Sequence, residues 1–182
     1  MDSKKKNIIV YIDGSNFYFS IKKTFNCKID IEKFCKKLVE NNELVKINYY
    51  ISPIVQSSNP KMYAEQQSFF EKLKKIDKLN IIFGRLEKHK KDGKIIYVEK
   101  ATDINLARDL IFDSIDNKYD KALLISNDGD FSGVVSSIIN RLDKEIVYVA
   151  IGNKKSISYH LKRVASLTLN IKDNFIKDVI IN

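Results

Sequence analysis

Several short runs in this chain are apolar at nearly every position instead of at every second one, and that pattern limits the fold more than any other feature. Ile8-Ile9-Val10-Tyr11-Ile12 and Ala122-Leu123-Leu124-Ile125 are the clearest. A strand with one wet face alternates apolar and polar residues, whereas a strand apolar throughout is covered on both faces. That is the condition of a mostly parallel sheet between two helical layers. The intervening segments have helical period. Ile31, Phe34, Cys35, Leu38 and Val39 fall at i, i+3, i+4, i+7 and i+8, and Phe131, Val134, Val135, Ile138, Ile139 and Leu142 repeat the spacing. The alternation predicts a three-layer α/β sandwich with strands near 7–12, 44–52, 80–85, 121–126 and 145–151, and a short one at 167–171.

Asn59-Pro60 marks the start of a third helix, an N-cap residue followed by proline at the first helical position, with Met62, Phe69, Phe70, Leu73 and Ile76 buried. A fourth is expected from about Ala101 to Asp116, with Ile104, Ala107, Leu110, Ile111 and Ile115 on its buried side. One insertion breaks the alternation. Within Arg85 to Lys100, the stretch Lys90-Lys91-Asp92-Gly93-Lys94 sets Asp-Gly between extended flanks, which predicts a β-hairpin with a lysine-rich tip. No repeat or linker divides the 182 residues, so one domain is expected over 1–182, with a core of about 7–164 and a terminal helix at 171–182 that docks or frays.

Thirty-two Lys plus Arg against 23 Asp plus Glu leave a net charge of +9, which suits a polyanionic partner. The excess is almost wholly lysine in a chain rich in isoleucine and asparagine, a bias that an AT-rich genome produces unselected, so charge alone is weak support for nucleic acid. No apolar run approaches the ~18 residues that span a bilayer, and Met1-Asp2-Ser3-Lys4-Lys5-Lys6 leads straight into a strand instead of a signal-peptide core. A cytoplasmic protein with no membrane partner is expected. Cys27 and Cys35 match no paired-cysteine or zinc spacing, and His89 and His160 are too few and scattered for a His-rich site. Any metal would be held by oxygen.

Four aspartates stand at the ends of the expected elements. Asp13 closes the first strand, Asp103 opens the fourth helix, and Asp128 and Asp130 follow the run that ends at Ile125. In open α/β sheets a site forms at the carboxyl ends of the strands where the strand order reverses, so these acids meet there if the two strands are neighbours. Gathered carboxylates raise one another's pKa values unless a cation shares them, and hard divalent cations prefer oxygen ligands. Each piece also has an ordinary structural explanation. Asp13-Gly14-Ser15-Asn16 can be a strand-to-helix turn capped by Ser15 or Asn16, Asn127-Asp128-Gly129-Asp130 a turn capping the next helix, and Asp103 a helix-start acid. Their joint placement favours a site.

Val10-Tyr11-Ile12-Asp13-Gly14-Ser15-Asn16-Phe17 resembles the opening motif of NYN domains, a branch of the PIN-like nuclease superfamily. Ser126-Asn127-Asp128-Gly129-Asp130-Phe131 is similar to that family's Ser-x-Asp-x-Asp-Phe signature, and Lys100-Ala101-Thr102-Asp103 to its Lys-x-x-Asp. The three stand in the family's order over roughly Asn7 to Val164, closest to the bacterial LabA-like group. Asn127 departs from the usual glycine or aspartate, and Ala101 and Thr102 fill the spacer; no carboxylate is lost. The resemblance implies a PIN-like sandwich and a magnesium- or manganese-dependent ribonuclease, in which acidic residues hold the metal and the metal activates a water for attack on phosphorus. Asp13, Asp103 and Asp128 are the expected ligands. Asp130 is expected to ligate, to orient a water, or to accept a hydrogen bond behind them.

Asn16 and Ser126 suit a phosphate oxygen or the orientation of a carboxylate, or else cap a turn. Lys100 suits the scissile phosphate, or is a solvated surface lysine. Arg85, Lys88, Lys90, Lys91 and Lys94 form the densest basic cluster, with Lys154, Lys155, Lys162 and Arg163 a second; such contacts track a phosphate backbone. Tyr18 and Tyr97 are candidates for stacking on bases, against the commoner core role. RNA is the expected partner, with DNA an alternative and a homodimer compatible with the surface. Two other readings stay open at this point. One is a regulatory module that binds RNA or protein without cutting. The other is a magnesium-dependent phosphatase or receiver-like domain, which fits poorly because Ala150-Ile151-Gly152-Asn153 precede Lys154 where a strand-end lysine is wanted.

Overall fold

The apolar runs become β1 (Asn7–Asp13), β2 (Glu43–Ile51), β3 (Leu79–Phe83), β6 (Lys121–Ile125), β7 (Glu145–Ile151) and β8 (Leu167–Ile171), and the insertion becomes the hairpin strands β4 (Arg85–Lys91) and β5 (Lys94–Lys100). The computed structural model describes residues 5–91 and 93–181. Asp92 of the expected Asp-Gly turn, the segment Met1 to Lys4 and Asn182 lie outside the described residues, as do the side chains of Lys91 and Lys94.

The six runs form one sheet in the order β3-β2-β1-β6-β7-β8, and every pairing in it is parallel. β4 and β5 form a separate antiparallel ladder. Around the sheet lie α1 (Gly14–Phe25), α2 (Ile31–Val39), α3 (Pro60–Leu73), α4 (Thr102–Ile115), α5 (Ser132–Leu142), α6 (Tyr159–Val164) and α7 (Asp173–Ile176).

Both faces of the sheet are covered, as the unbroken apolar runs require. Ile8, Val10 and Ile12 of β1 pack with Phe17, Phe34, Leu38 and Phe70 from α1, α2 and α3. Ile9 and Tyr11 face the other way, with Leu106, Leu110, Val135, Ile138 and Leu161 from α4, α5 and α6. This two-residue period carries on to the sheet edge, so Asp13 faces the α4 side. α1 begins at once because Gly14 allows it: a Cβ there would lie 2.5 Å from Tyr49 Cε1 and 2.7 Å from the Tyr50 carbonyl oxygen.

Three expectations need correction. The buried face of α4 is Thr102, Leu106, Leu110, Asp113 and Ser114, while Ile104 and Ile115 are 72% and 57% exposed. The helix is turned because buried phenols need acceptors. Tyr11 Oη donates to Asp113 Oδ2 at 2.8 Å, and Tyr50 Oη to Asp109 Oδ2 at 3.0 Å. Met62 is exposed in α3, where Phe70 and Leu73 do the burying. The terminal segment forms one helical turn, then a 3₁₀ turn over Lys177–Val179. It docks through buried Ile176 and Val179, and the Asp30 N–H donates to the Val179 carbonyl at 2.8 Å.

Candidate active site

β1 and β6 are neighbours, with Ile12 opposite Ile125. The chain winds from β1 outward through β2 to β3, then crosses to β6 and winds the other way, so their carboxyl ends form the switch point of the sheet. Asp13 and Ser126 extend this register by one residue and meet there. Ser126 Oγ donates to Asp13 Oδ2 at 2.8 Å and accepts from the Asp128 N–H at 3.1 Å, so one buried hydroxyl ties the two acidic motifs together.

Two of the aspartates do cap turns, as an ordinary structural explanation would have it, but the caps differ from those expected. Asp13 itself, not Ser15 or Asn16, caps α1 by accepting from the Asn16 N–H at 3.1 Å. Asp128 caps the 3₁₀ turn Gly129–Phe131 by accepting from the Asp130 N–H at 2.9 Å. Capping fixes the orientation of each carboxylate and still leaves it lone pairs for a further partner.

Asp103 stands in the first turn of α4, on the solvent side of the cleft. The turn before it is strained: Ala101 has φ 69° and ψ −7°, the left-handed region where a Cβ costs about 1–2 kcal/mol. Alanine at this position therefore carries a cost. Ala101→Gly is expected to stabilise the protein by about 0.5–1 kcal/mol, the strain relieved less the entropy that glycine loses on folding. Thermal melts of both proteins check this, and an unchanged or lowered Tm refutes the strain.

A fifth acid joins the four. Glu99, at the end of β5, accepts from Thr102 Oγ1 at 2.6 Å and from Ser15 Oγ at 3.3 Å, and so braces the root of the hairpin against the first turn of α1. Ser52 Oγ lies 3.2 Å from Thr102 Oγ1, and since the threonine proton goes to Glu99, Ser52 is the donor. Gly84 makes the crossing possible: a Cβ there would lie 2.3 Å from Thr102 Oγ1 and 2.5 Å from Ser52 Oγ.

The acids act on one another. Burial pushes the Asp13 carboxyl up to about 6, against the lowering by its bonds to Asn16 and Ser126, and the charges of Asp103 and Glu99 add to the rise. Asp103 is raised by partial burial, then by Asp128, Glu99 and Asp130. Among the described residues no three Asp, Glu, His or Cys side chains are gathered tightly enough to enclose an ion, so the acids form an open cluster and not a closed cage.

Asn16 and Asn127 form the wall behind the cluster. Asn16 Oδ1 accepts from the Asn127 N–H at 3.0 Å and from Ser20 Oγ at 3.3 Å; Asn127 Nδ2 donates to the Ile151 carbonyl at 2.8 Å, and its Oδ1 accepts from Tyr148 Oη at 2.6 Å. Ser126 and the Asn16 carbonyl oxygen of the amide are thus occupied in support, while Asn16 Nδ2 has no partner among the described residues.

The basic residues fall into separate groups. Lys100 is exposed, and its charge adds to the hydrogen bond from Arg85 in lowering the pKa of Glu87 in the same hairpin. Arg85 is likewise tied to Glu87, at 3.0 Å. Lys88 and Lys90 are exposed farther out, with Lys90 five residues or about 17 Å along the strand from Arg85. Lys154 and Lys155, after β7, lie at the same carboxyl edge as the acids. Tyr97 is half-buried, and Tyr18 is 53% exposed with Lys22 Nζ 5.7 Å from its ring centre.

Sequence reasoning missed Glu99, since a glutamate in a lysine-rich hairpin has the signature of a solvated charge. It also set aside His160. A Cβ on Gly129 would lie 3.4 Å from His160 Cδ2, so this imidazole lies beside the turn that carries Asp128 and Asp130.

The sequence matches the family model described as NYN domain over residues 7–172. No curated protein matches it. Among solved structures, a protein of unknown function from Vibrio parahaemolyticus RIMD 2210633 is similar over 100% of both chains, with 24% identity and a TM-score of 0.72, a likeness of fold. Among the described residues no helix is long and apolar enough to cross a membrane.

Proposed function

The chain belongs to the NYN domain family, of the PIN-like nuclease superfamily, and from that membership and its acidic cluster we propose a divalent-metal-dependent ribonuclease that cuts RNA internally. The three motifs favour the LabA-like group within the family. The observation that carries the reading is the placement of Asp13, Asp103, Asp128 and Asp130 about the switch point, where the charges of neighbouring acids add to the rise that burial causes in Asp13 and Asp103.

The donor set fits Mg²⁺ or Mn²⁺. Every candidate ligand is a carboxylate oxygen, and an open cluster leaves room for waters and substrate phosphate to complete the ion's shell. When bound, such an ion supplies charge neutralisation at the scissile phosphate and activation of the attacking water. Asp13, Asp103 and Asp128 are its ligands on this reading, with Asp130 orienting the water or supporting the ligands. Ser126 and the Asp130 N–H hold Asp13 and Asp128 in fixed directions, so little reorganisation remains for the reaction itself. Asn16 Nδ2 is the donor for a phosphate oxygen. Lys88, Lys90, Lys154 and Lys155 give the strand non-specific grip on both sides of the cut, which supports internal cleavage over trimming from an end. The choice of RNA over DNA follows the family.

Incubation with RNA and DNA of several structures tests the proposal. Internal cleavage of RNA is expected with Mn²⁺ or Mg²⁺, lost on adding EDTA and restored by excess metal. Cleavage that survives EDTA overturns it, and salt-sensitive RNA binding without any metal-dependent cutting favours the non-catalytic module instead.

A further inference from the structure

α6 presents a row of side chains that neither the core nor the acidic cluster uses. Leu161 is its buried anchor, while Tyr159, His160, Lys162 and Arg163 are all exposed, Tyr159 by 65%. The Tyr159 and His160 rings meet edge to face, 5.8 Å apart at 76°, and the Arg163 guanidinium lies 5.6 Å from the centre of the Tyr159 ring. Three groups able to stack thus lie together in open solvent.

The row is also fixed relative to the acids. Ser158 caps α6 by accepting from the Leu161 N–H at 3.2 Å, its own N–H donates to Tyr148 Oη at 2.9 Å, and that hydroxyl donates to Asn127 at 2.6 Å. His160 lies over Gly129, between Asp128 and Asp130. In the sheet β7 adjoins β6, so the loop leading to α6 rises about one strand spacing, ~4.8 Å, from the strand that leads into Ser126. The hairpin springs from β3, on the other side of the acids. A polynucleotide crossing the carboxyl edge therefore meets the hairpin, the acids and α6 in turn.

We propose that the Tyr159 ring, flanked by His160 and Arg163, is the stacking platform for an unpaired nucleobase of the RNA strand, beside the phosphate that is cut. The proposal rests on the ribonuclease reading and adds to it a demand for single-stranded substrate. A base inside a duplex has both faces covered by its neighbours and offers none to a side chain, whereas an unstacked base can lie against an aromatic ring or a guanidinium plane. Stacking accepts any base, so the platform selects strandedness and not sequence. Lys154, Lys155 and Lys162 hold the flanking phosphates.

The test measures binding without turnover, with the full chain carrying Asp128→Asn in EDTA. Its probes are a fluorescent single-stranded RNA and a hairpin RNA of the same composition whose loop is a linker without bases, read by anisotropy across a salt series. Tyr159→Ala is expected to weaken single-strand binding by about fivefold to a hundredfold with the salt slope unchanged, while Tyr159→Phe keeps the parent affinity. Arg163→Ala is expected to weaken binding and to lower the salt slope by about one. Equal affinity of the Tyr159→Ala and parent chains overturns the platform and leaves metal-dependent cleavage untouched. Equal weakening for the single strand and the hairpin overturns it too, in favour of a phosphate contact. A parent chain that binds no single strand also overturns it, and the cleavage assay then decides separately whether the nuclease reading stands.

Discussion

Asp13→Asn is expected to abolish RNA cleavage and, in the same protein, to raise the stability of the metal-free fold at neutral pH. Asp13 is only 6% exposed, and its pKa rises from 3.8 to about 6 on folding. The folded chain therefore holds this proton more tightly than the unfolded one, and stability falls as pH rises from about 4 to 6. Above that window the penalty is constant, about 3 kcal/mol at most. Asparagine removes the charge but offers a single acceptor where Asp13 accepts from both Asn16 and Ser126, so part of the gain is lost. A net gain of about 1–2 kcal/mol remains, or about 2–8 °C in Tm for a chain of this size. The gain should shrink to less than half at pH 4.5, where Asp13 is protonated in the parent as well. Added Mn²⁺ should raise the Tm of the parent more than that of the variant. Melts at the two pH values, with and without Mn²⁺, check all three statements, and a variant less stable than the parent at neutral pH would show that burial of this charge carries no cost.

The second large effect belongs to Asp128→Asn. Asparagine keeps the Oδ1 acceptor for the Asp130 N–H, so the 3₁₀ turn and the burial of Phe131 behind it are preserved. The lost charge is the proposed metal ligand, and it is also a carboxylate that adds to the rise burial causes in Asp103. Cleavage should fall by about a thousandfold or more, several kcal/mol of transition-state stabilisation, while Tm stays within about 1 °C. Asp128→Ala should lose activity as well, but also about 1 kcal/mol of stability, because it removes the cap. A contaminant-free Asp128→Asn preparation that cuts RNA within tenfold of the parent rate would sink the proposed function.

The sequence made the aspartates legible because their signals are local. Asp13 follows an apolar run directly, Asp128 and Asp130 come three and five residues after another, and a strand end can be read within a few residues. The register of β1 on β6 could be stated only as a condition, since nothing local says which strands are neighbours. Glu99 was out of reach for the same reason: its partner Ser15 is 84 residues away, and only the folded-back hairpin brings them together. His160 and Gly129 meet by a comparable tertiary accident of β7 and α6. The face of α4 was misread because hydropathy counts aspartate as outward. Periodicity cannot know that Tyr11, inside an apolar run, carries a hydroxyl that must find an acceptor when buried.

That hydroxyl acts as the bearing of a lever. Asp103, Leu106, Leu110 and Asp113 fall at i, i+3, i+7 and i+10, along one side of α4, so the rotation that seats Asp113 on Tyr11 also aims Asp103 at the carboxyl edge. The two acids are ten residues apart, about 15 Å of helix. Had the apolar face suggested by Ile104 and Ile115 turned inward, Asp103 would have swung away from Asp128. The aim of the site is therefore set from deep in the core, by a tyrosine that phenylalanine could replace with no visible change in the pattern of the strand.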